Sequence, residues 1–180
     1  DISSKIVNLA NLAVGRFRGG LAYVNVLDSM FFGGISGSAV ADVSSLGSIV
    51  IPMMKNQGYD EDFAVGLTVT TACQGVLIPP SHNMVIYALS AGGVSIGTLF
   101  IAGLLPGIAL GCGMIVMCML MAKRFNFPKG TGVKKGEGWR VFLEGILPMM
   151  TLVIIMVGTG AGVFTATESS AIACVYTMFL

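Results

Sequence analysis

Two apolar stretches of this chain are interrupted by residues that free the backbone: Gly33-Gly34-Ile35-Ser36-Gly37-Ser38 and Gly75-Val76-Leu77-Ile78-Pro79-Pro80-Ser81. At the first break Ser36 and Ser38 supply hydroxyls, and Gly37 between them permits positive φ and close backbone approach. At the second, Pro79 and Pro80 remove two backbone donors and clash with the preceding turn. Carbonyls near Gly75, Val76 and Leu77 then lose their partners, beside the side-chain oxygens of Ser81 and Asn83. Unwound carbonyls with hydroxyls are ligands for a hard cation such as sodium. The free amides that open the next limb, at the positive end of a helix dipole, suit an anion. Lipid tolerates a broken helix only where it lines a cavity, so two breaks in succession point to the substrate and ion site of a secondary transporter. For the Gly/Ser tip, a small-residue packing face is the structural alternative.

Around the breaks lie further polar groups. Asp42 sits one turn past the first tip, at membrane depth, where a carboxylate is costly and defaults to a functional role. The alternative is a helix-stabilising acid paired with Ser38 or Ser45, and both readings stand. Asp28 falls on the entry limb, at a shallower level. Thr68, Thr70, Thr71 and Gln74 precede the second break by one or two turns and are candidates for additional ligands, with back-bonding to their own helix the preferred account for at least half of them. His82, the only histidine, reads as a hydrogen-bonding bystander or a proton carrier. No Gly-x-Ser-x-Gly elbow with a plausible triad, phosphate loop or metal cluster occurs, so the chain does not read as an enzyme. Cys73, Cys112, Cys118 and Cys174 have no CxxC spacing and read as small buried hydrophobes.

Composition sets the solvent for all of this. Charged residues make up 11% of the chain, against roughly 25% in an ordinary soluble domain, and mean hydropathy is +0.86. Residues 63–122 contain no Asp, Glu, Lys or Arg. A hydrocarbon core takes about 20 apolar residues per helix, so that run holds two spans. Lys123, Arg124, Lys129, Lys134, Lys135 and Arg140 crowd one loop against Glu137 alone, which makes that loop cytoplasmic. The expected class is an all-α integral membrane protein.

The elements follow. Residues 1–20 form an amphipathic surface helix, with Ile6, Leu9, Ala10, Ala13 and Phe17 on one face and residues 16–20 closing it. In residues 21–54 each limb on either side of the tip is too short to cross a core of ~30 Å, which describes a re-entrant helical hairpin. Charge supports this: a full crossing would put Arg16 and Arg18 on the side opposite the basic loop, and a hairpin puts both clusters inside. Residues 55–122 hold a discontinuous transmembrane helix over 63–89, an uncharged turn over 90–95 and a span over 96–122 with a Pro106-Gly107 kink. Asp60, Glu61 and Asp62 cap the start of that region. Residues 123–144 are the basic cytoplasmic loop and arm. Residues 145–180 cross outward and begin a further helix, where Thr165 and Glu168 have capping-box spacing.

The run Gly34-Ile35-Ser36-Gly37-Ser38-Ala39-Val40-Ala41-Asp42, then Gly47-Ser48-Ile49-Val50-Ile51-Pro52-Met53-Met54 and Gly58-Tyr59, resembles the large membrane (permease) subunit of TRAP transporters, the tripartite ATP-independent periplasmic carriers, and is DctM-like. The resemblance continues through Phe63-Ala64, Gly75 to Ser81, Ile86-Tyr87, Leu99 to Gly107 and Phe164-Thr165-Ala166-Thr167-Glu168, in order along nearly the whole chain. It implies a multi-pass protein of the bacterial inner membrane and sodium-coupled uptake of an organic acid, such as a C4-dicarboxylate or sialic acid. It also implies an elevator-type transport domain, a small membrane subunit and a periplasmic substrate-binding protein that delivers the solute. Sodium ions are the coupling ions, with no other cofactor and no nucleic-acid partner. Sodium ligation would fall on Ser36, Ser38, Gly75 and Ser81, with Gly37, Asp42, Val76, Pro79, Pro80 and Asn83 completing the ion and substrate site. The family's second hairpin and second Pro-containing break have no counterpart here, so residues 1–180 read as one half of a transport domain, internal to a longer chain. A stand-alone divalent-anion:sodium symporter and a non-transporting membrane scaffold or channel are the competing readings.

Overall fold

The computed structural model describes residues 2–130 and 137–179, so Lys134 and Lys135 of the basic loop lie outside the described residues. Among the described residues all regular structure is helical: α1 (Ile2–Val14), α2 (Gly20–Ser36), α3 (Ala39–Ser45), α4 (Gly47–Asn56), α5 (Glu61–Gly75), α6 (His82–Ala91), α7 (Ile96–Arg124), α8 (Gly138–Gly160) and α9 (Ala166–Met178). At 1.5 Å per residue α7 is about 43 Å long and α8 about 34 Å, and both are long and apolar enough to cross a membrane. Neither α5 nor α6 is long enough alone.

Both predicted interruptions are present. α2 stops where Gly37 turns left-handed at φ 62°, its N–H bonding back to the Gly33 carbonyl at 2.7 Å. Ser38 then caps α3, its hydroxyl accepting the Ala41 amide. α5 ends at Gly75, and six residues including a cis Pro79–Pro80 bond separate it from α6. At the start of α5 Asp60 takes the Phe63 amide at 3.1 Å, and at the start of α9 Thr165 and Glu168 form the expected capping box.

Side-chain contacts fix how the helices run. Asn25 near the start of α2 touches Met54 near the end of α4, so α3 and α4 return along α2 to the end where it began. α5 then runs parallel to α2: Asn25 meets Thr68, Ser29 meets Thr71, and Gly33 meets Gly75. α7 runs antiparallel to both, with Gly111 against Gln74 and Met30, Gly107 against Ile78, and Gly103 against Leu77 and Met84. At its far end Gly19 N–H donates to the Pro128 carbonyl at 3.0 Å, and Arg18 Nε donates to the Phe127 carbonyl at 3.2 Å. Arg18 and Lys129 thus share one end of the bundle, as the charge pattern requires. Tyr59 packs there against Phe63 and Phe127. Burial pushes its phenol up to about 12, and the turn between α4 and α5 is held both by these rings and by the Lys55–Glu61 ion pair at 2.7 Å.

Three expectations shift. α8 starts at Gly138 rather than near residue 145, because Arg140 and Glu144 pair at 2.7 Å one turn apart and carry the helix past the apolar run. Phe17 lies beyond α1 and is exposed, while Val7 joins Ile6 and Ala10 in the face that α1 buries. Of the four cysteines only Cys118 is buried; Cys73, Cys112 and Cys174 stand on outer faces of their helices.

Candidate functional site

The core formed by α2, α4, α5 and α7 is apolar near the base, with Val24, Leu46, Val50, Met54, Leu67 and Cys118. Towards the breaks it turns polar. Asn25, Asp28 and Ser29 line one face of α2, and Thr68, Thr71 and Gln74 face them from α5; all six are at most 1% exposed. Asn25 Nδ2 donates to Thr68 Oγ1 at 2.8 Å, Thr71 Oγ1 donates to Asn25 Oδ1 at 3.2 Å, and Ser29 Oγ donates to Thr71 Oγ1 at 3.1 Å. Thr68 and Thr70 also bond back to the carbonyls four residues earlier, Thr71 to the one three earlier. Thr68 and Thr70 back-bond outright, Thr68 also accepting from Asn25, whereas the single Thr71 hydroxyl hydrogen is shared between the Thr68 carbonyl and Asn25 Oδ1. In lipid such bonds are worth ~0.6 kcal/mol each on average, and apolar burial alone supplies no drive between helices, so this ladder is a main fastening of α2 to α5.

Above the ladder the two breaks touch. Gly33 and Gly75 meet backbone to backbone, without room for a Cβ on either. A Cβ on Gly37 would lie 3.0 Å from the His82 amide nitrogen and 3.3 Å from Ser81 Cα. Gly34 faces the Pro79 carbonyl and Leu152 of α8. The amino ends of α3 and α6 therefore open at one junction, beside a cavity of about 200 Å³ lined by Ser36, Gly37, Pro80, Ser81 and His82, with Ser170 of α9 opposite.

Asp28 and Asp42 are 0% and 1% exposed, and among the described residues none of their four carboxylate oxygens has a hydrogen-bond partner of good geometry, although the Ser29 hydroxyl lies beside Asp42. They lie within electrostatic range of one another, and the described residues pair neither with lysine or arginine. Oδ2 of Asp42 sits 3.2 Å from where a Gly75 Cβ would be, so the carboxylate abuts the second break. Gln74 at both side-chain polar atoms and Ser81 at its hydroxyl are buried and unpartnered too. Buried polar groups without partners are costly. Their concentration here, with oxygen the dominant donor atom, is the chemistry of a hard cation.

Of the residues singled out from sequence, Ser36, Gly37, Pro80 and Ser81 line one cavity, with Pro79 beside Gly34 and with Gly75 and Asp42 in mutual contact below. Ser38 is engaged as the α3 cap, and Ser36 Oγ donates to the Ser38 carbonyl at 3.4 Å. Val76 is half-buried, whereas Asn83 and His82 are exposed in the first turn of α6, Asn83 away from the cavity lining. Asp28 is fully buried. Asn25 and Ser29 join Asp28 and Gln74 in this polar stripe without having been singled out from sequence, although Asn25, Asp28 and Ser29 repeat at i, i+3 and i+4. Among the described residues no three His, Cys, Asp or Glu side chains gather as a metal cluster.

Over residues 1–180 the chain matches the family described as "Tripartite ATP-independent periplasmic transporter, DctM component". It is 38% identical to the C4-dicarboxylate TRAP transporter large permease protein DctM of Vibrio cholerae, over 99% of this chain and 39% of that protein. It is 37% identical to the sialic acid TRAP transporter large permease protein SiaM of the same organism, over 99% of this chain and 42% of that protein. It is 37% identical to the 2,3-diketo-L-gulonate TRAP transporter large permease protein YiaN of Escherichia coli, over 99% of this chain and 42% of that protein. The chain thus spans about two fifths of the length of these relatives.

Proposed function

Because this chain belongs to the DctM component family of the tripartite ATP-independent periplasmic transporters, and so to a multi-pass protein of the bacterial inner membrane, we propose that it forms half of an elevator-type transport domain for sodium-coupled symport of an organic acid. In this reading α2 to α4 are a re-entrant hairpin and α5 with α6 its discontinuous partner. The observation that carries it is the contact of the two breaks over unpartnered, buried Asp42. Ser36, Ser38 and Ser81 hydroxyls, the Gly75 carbonyl and Asp42 would hold sodium. Ser36 Oγ accepts from the Ser38 amide and Ser38 Oγ from the Ala41 amide, while the Gly75 carbonyl accepts from the Ile78 amide at 3.2 Å; each oxygen keeps a second lone pair for a cation. Bound sodium supplies positive charge beside a carboxylate substrate and satisfies oxygens that are otherwise costly to bury.

Gly37, Val76, Pro79, Pro80 and Asn83 have the supporting part of shaping the junction and its backbone. The tip and the break must be in register for both to contribute, so filling the site favours the closed form of the junction. A ligand shifts a conformational equilibrium only by its differential affinity for the two states, and here that difference would be the assembled donor set. The relatives' names point to C4-dicarboxylates, sialic acid and diketogulonate as a class of carboxylated solutes. The partners proposed are a small membrane subunit and a periplasmic binding protein.

Uptake into proteoliposomes holding the intact permease with its small subunit, under an imposed sodium gradient, tests this. Accumulation that needs both sodium and the binding protein is expected. Accumulation without the binding protein would remove the tripartite assignment, and flux indifferent to sodium would remove the ion site.

A further inference from the structure

At the basic end of the bundle a groove of about 480 Å³ runs between the end of α1, the start of α2 and the last turns of α7. Its wall is carbon from Val14, Phe17, Ile115 and Met119, and its rim carries Arg18 and Lys123. Ile115 lies eight residues before Lys123 on α7, so the groove reaches about 12 Å down the helix from its charged rim. Phe17 and Met119 remain 63% and 48% exposed, leaving the groove open along its side.

The charges at the rim are set for a ligand from outside the bundle. Arg18 Nε is held by the Phe127 carbonyl at 3.2 Å, which orients the guanidinium and leaves its terminal nitrogens unassigned. Neither Arg18 nor Lys123 pairs with a carboxylate among the described residues. Lys129 stands beside Arg18 across an isolated backbone bridge. The acidic turn around Asp60 borders a different cavity, formed with Phe125 and Phe127. An apolar furrow of this depth, entered from the lipid side and topped by two free cations where α7 leaves the membrane, has the form of a phospholipid: chain below, anion above.

We propose that this groove binds an anionic phospholipid of the inner leaflet, its acyl chain along Ile115 and Met119 and its phosphate between Arg18 and Lys123. Basic pockets between helices on the cytoplasmic side are suited to such headgroups. The site is separate from the two helix breaks and rests on the membrane placement of α7, whatever solute the permease carries.

Native mass spectrometry of the delipidated intact permease, titrated with phosphatidylglycerol or with phosphatidylcholine of matched chains, tests it. One phosphatidylglycerol should be retained above background, in preference to phosphatidylcholine. The Arg18→Gln/Lys123→Gln variant should bind it roughly 30-fold more weakly, and Arg140→Gln, whose partner is Glu144, should leave it unchanged. Met119→Trp, which fills the groove and keeps both charges, should also lose the lipid. If the double variant does not fold, judged by elution volume, Lys123→Gln and Met119→Trp carry the test. Equal retention in these variants, equal affinity for phosphatidylcholine, or displacement by millimolar inorganic phosphate would each overturn the proposal, the last by making the site one for a free anion.

Discussion

Replacing Gly75 by alanine tests the contact between the two breaks most directly. The new methyl would sit 2.7 Å from the Ser29 carbonyl oxygen, 3.1 Å from Gly33 Cα and 3.2 Å from Asp42 Oδ2. Two of these are backbone atoms of α2 that cannot rotate away, so α2 and α5 must part by about 0.7 Å to restore ordinary contact at Ser29. Overpacking of this kind costs ~1–3 kcal/mol. Alanine also favours helix over glycine by up to ~1 kcal/mol, and that gain has to be separated out. Gly66→Ala provides the control: it lies on the same helix, and nothing comes within 4 Å of its methyl. The difference between the two variants therefore isolates the clash, at ~1–3 kcal/mol, which is roughly 5- to 140-fold in an equilibrium constant. Reversible unfolding of the intact permease in mixed micelles reads the stability, and the sodium concentration for half-maximal uptake reads the site. Gly66→Ala should be as stable as the parent or more so, Gly75→Ala less stable with a weakened sodium response. Stabilities equal within about 0.5 kcal/mol, the usual spread of a surface change, would refute the claim that the helices meet at these glycines.

Ser81→Ala separates a ligand from a structural serine. Its buried hydroxyl has no partner, so a purely structural role predicts a neutral or stabilising change, whereas the sodium site predicts about a 10-fold rise in half-saturating sodium, ~1.4 kcal/mol; unchanged sodium dependence would remove Ser81. Asn25→Leu cuts two bonds of the ladder, and at ~0.6 kcal/mol each the permease should lose roughly 1 kcal/mol in mixed-micelle unfolding, with a loss under ~0.3 kcal/mol counting against a fastening role. Thr165→Ala removes the α9 cap and should cost ~1 kcal/mol locally, seen as faster amide exchange at residues 166–169 with exchange in α2 and α5 unchanged.

Much of the fold was legible because each break has a local chemical cause. Pro79-Pro80 cannot continue a helix, Gly37 can take the φ of 62° that ends one, and Thr165 with Glu168 caps the next. Breaks of this kind are written within a few residues. The contact of Gly33 with Gly75 is not, since it depends on a parallel register between helices 42 residues apart. Sequence pattern marks both as small residues and leaves their partner open. The burial of Asp28 was not legible for a related reason: it is set by which face of α2 turns toward α5. The stripe of Asn25, Asp28 and Ser29 against Thr68, Thr71 and Gln74 was readable as helical periodicity of polar residues, a signal that a search for apolar periodicity discards.

Register also bears on how residues 21–54 lie in the membrane. A full crossing by these residues would start α5 at the opposite end and run it antiparallel to α2. Instead Asn25, Ser29 and Gly33 pair in ascending order with Thr68, Thr71 and Gly75, and Met54 lies back beside Asn25. The chain therefore regains its starting end before α5 begins, at the end that also holds Arg18 and Lys129. If that end is cytoplasmic, a cysteine at Arg16, exposed ahead of α2, must share its sidedness with one at Asn56, exposed at the end of α4, and one at Lys129, and Ser90 near the end of α6 must show the other. In a background without the four native cysteines, an impermeant maleimide should label Arg16→Cys, Asn56→Cys and Lys129→Cys only from the cytoplasmic face, and Ser90→Cys only from the periplasmic one. Labelling of Arg16→Cys from the face opposite to Asn56→Cys and Lys129→Cys would mean that residues 21–54 cross the bilayer, and the re-entrant hairpin, with the ion site built on its tip, would have to be abandoned.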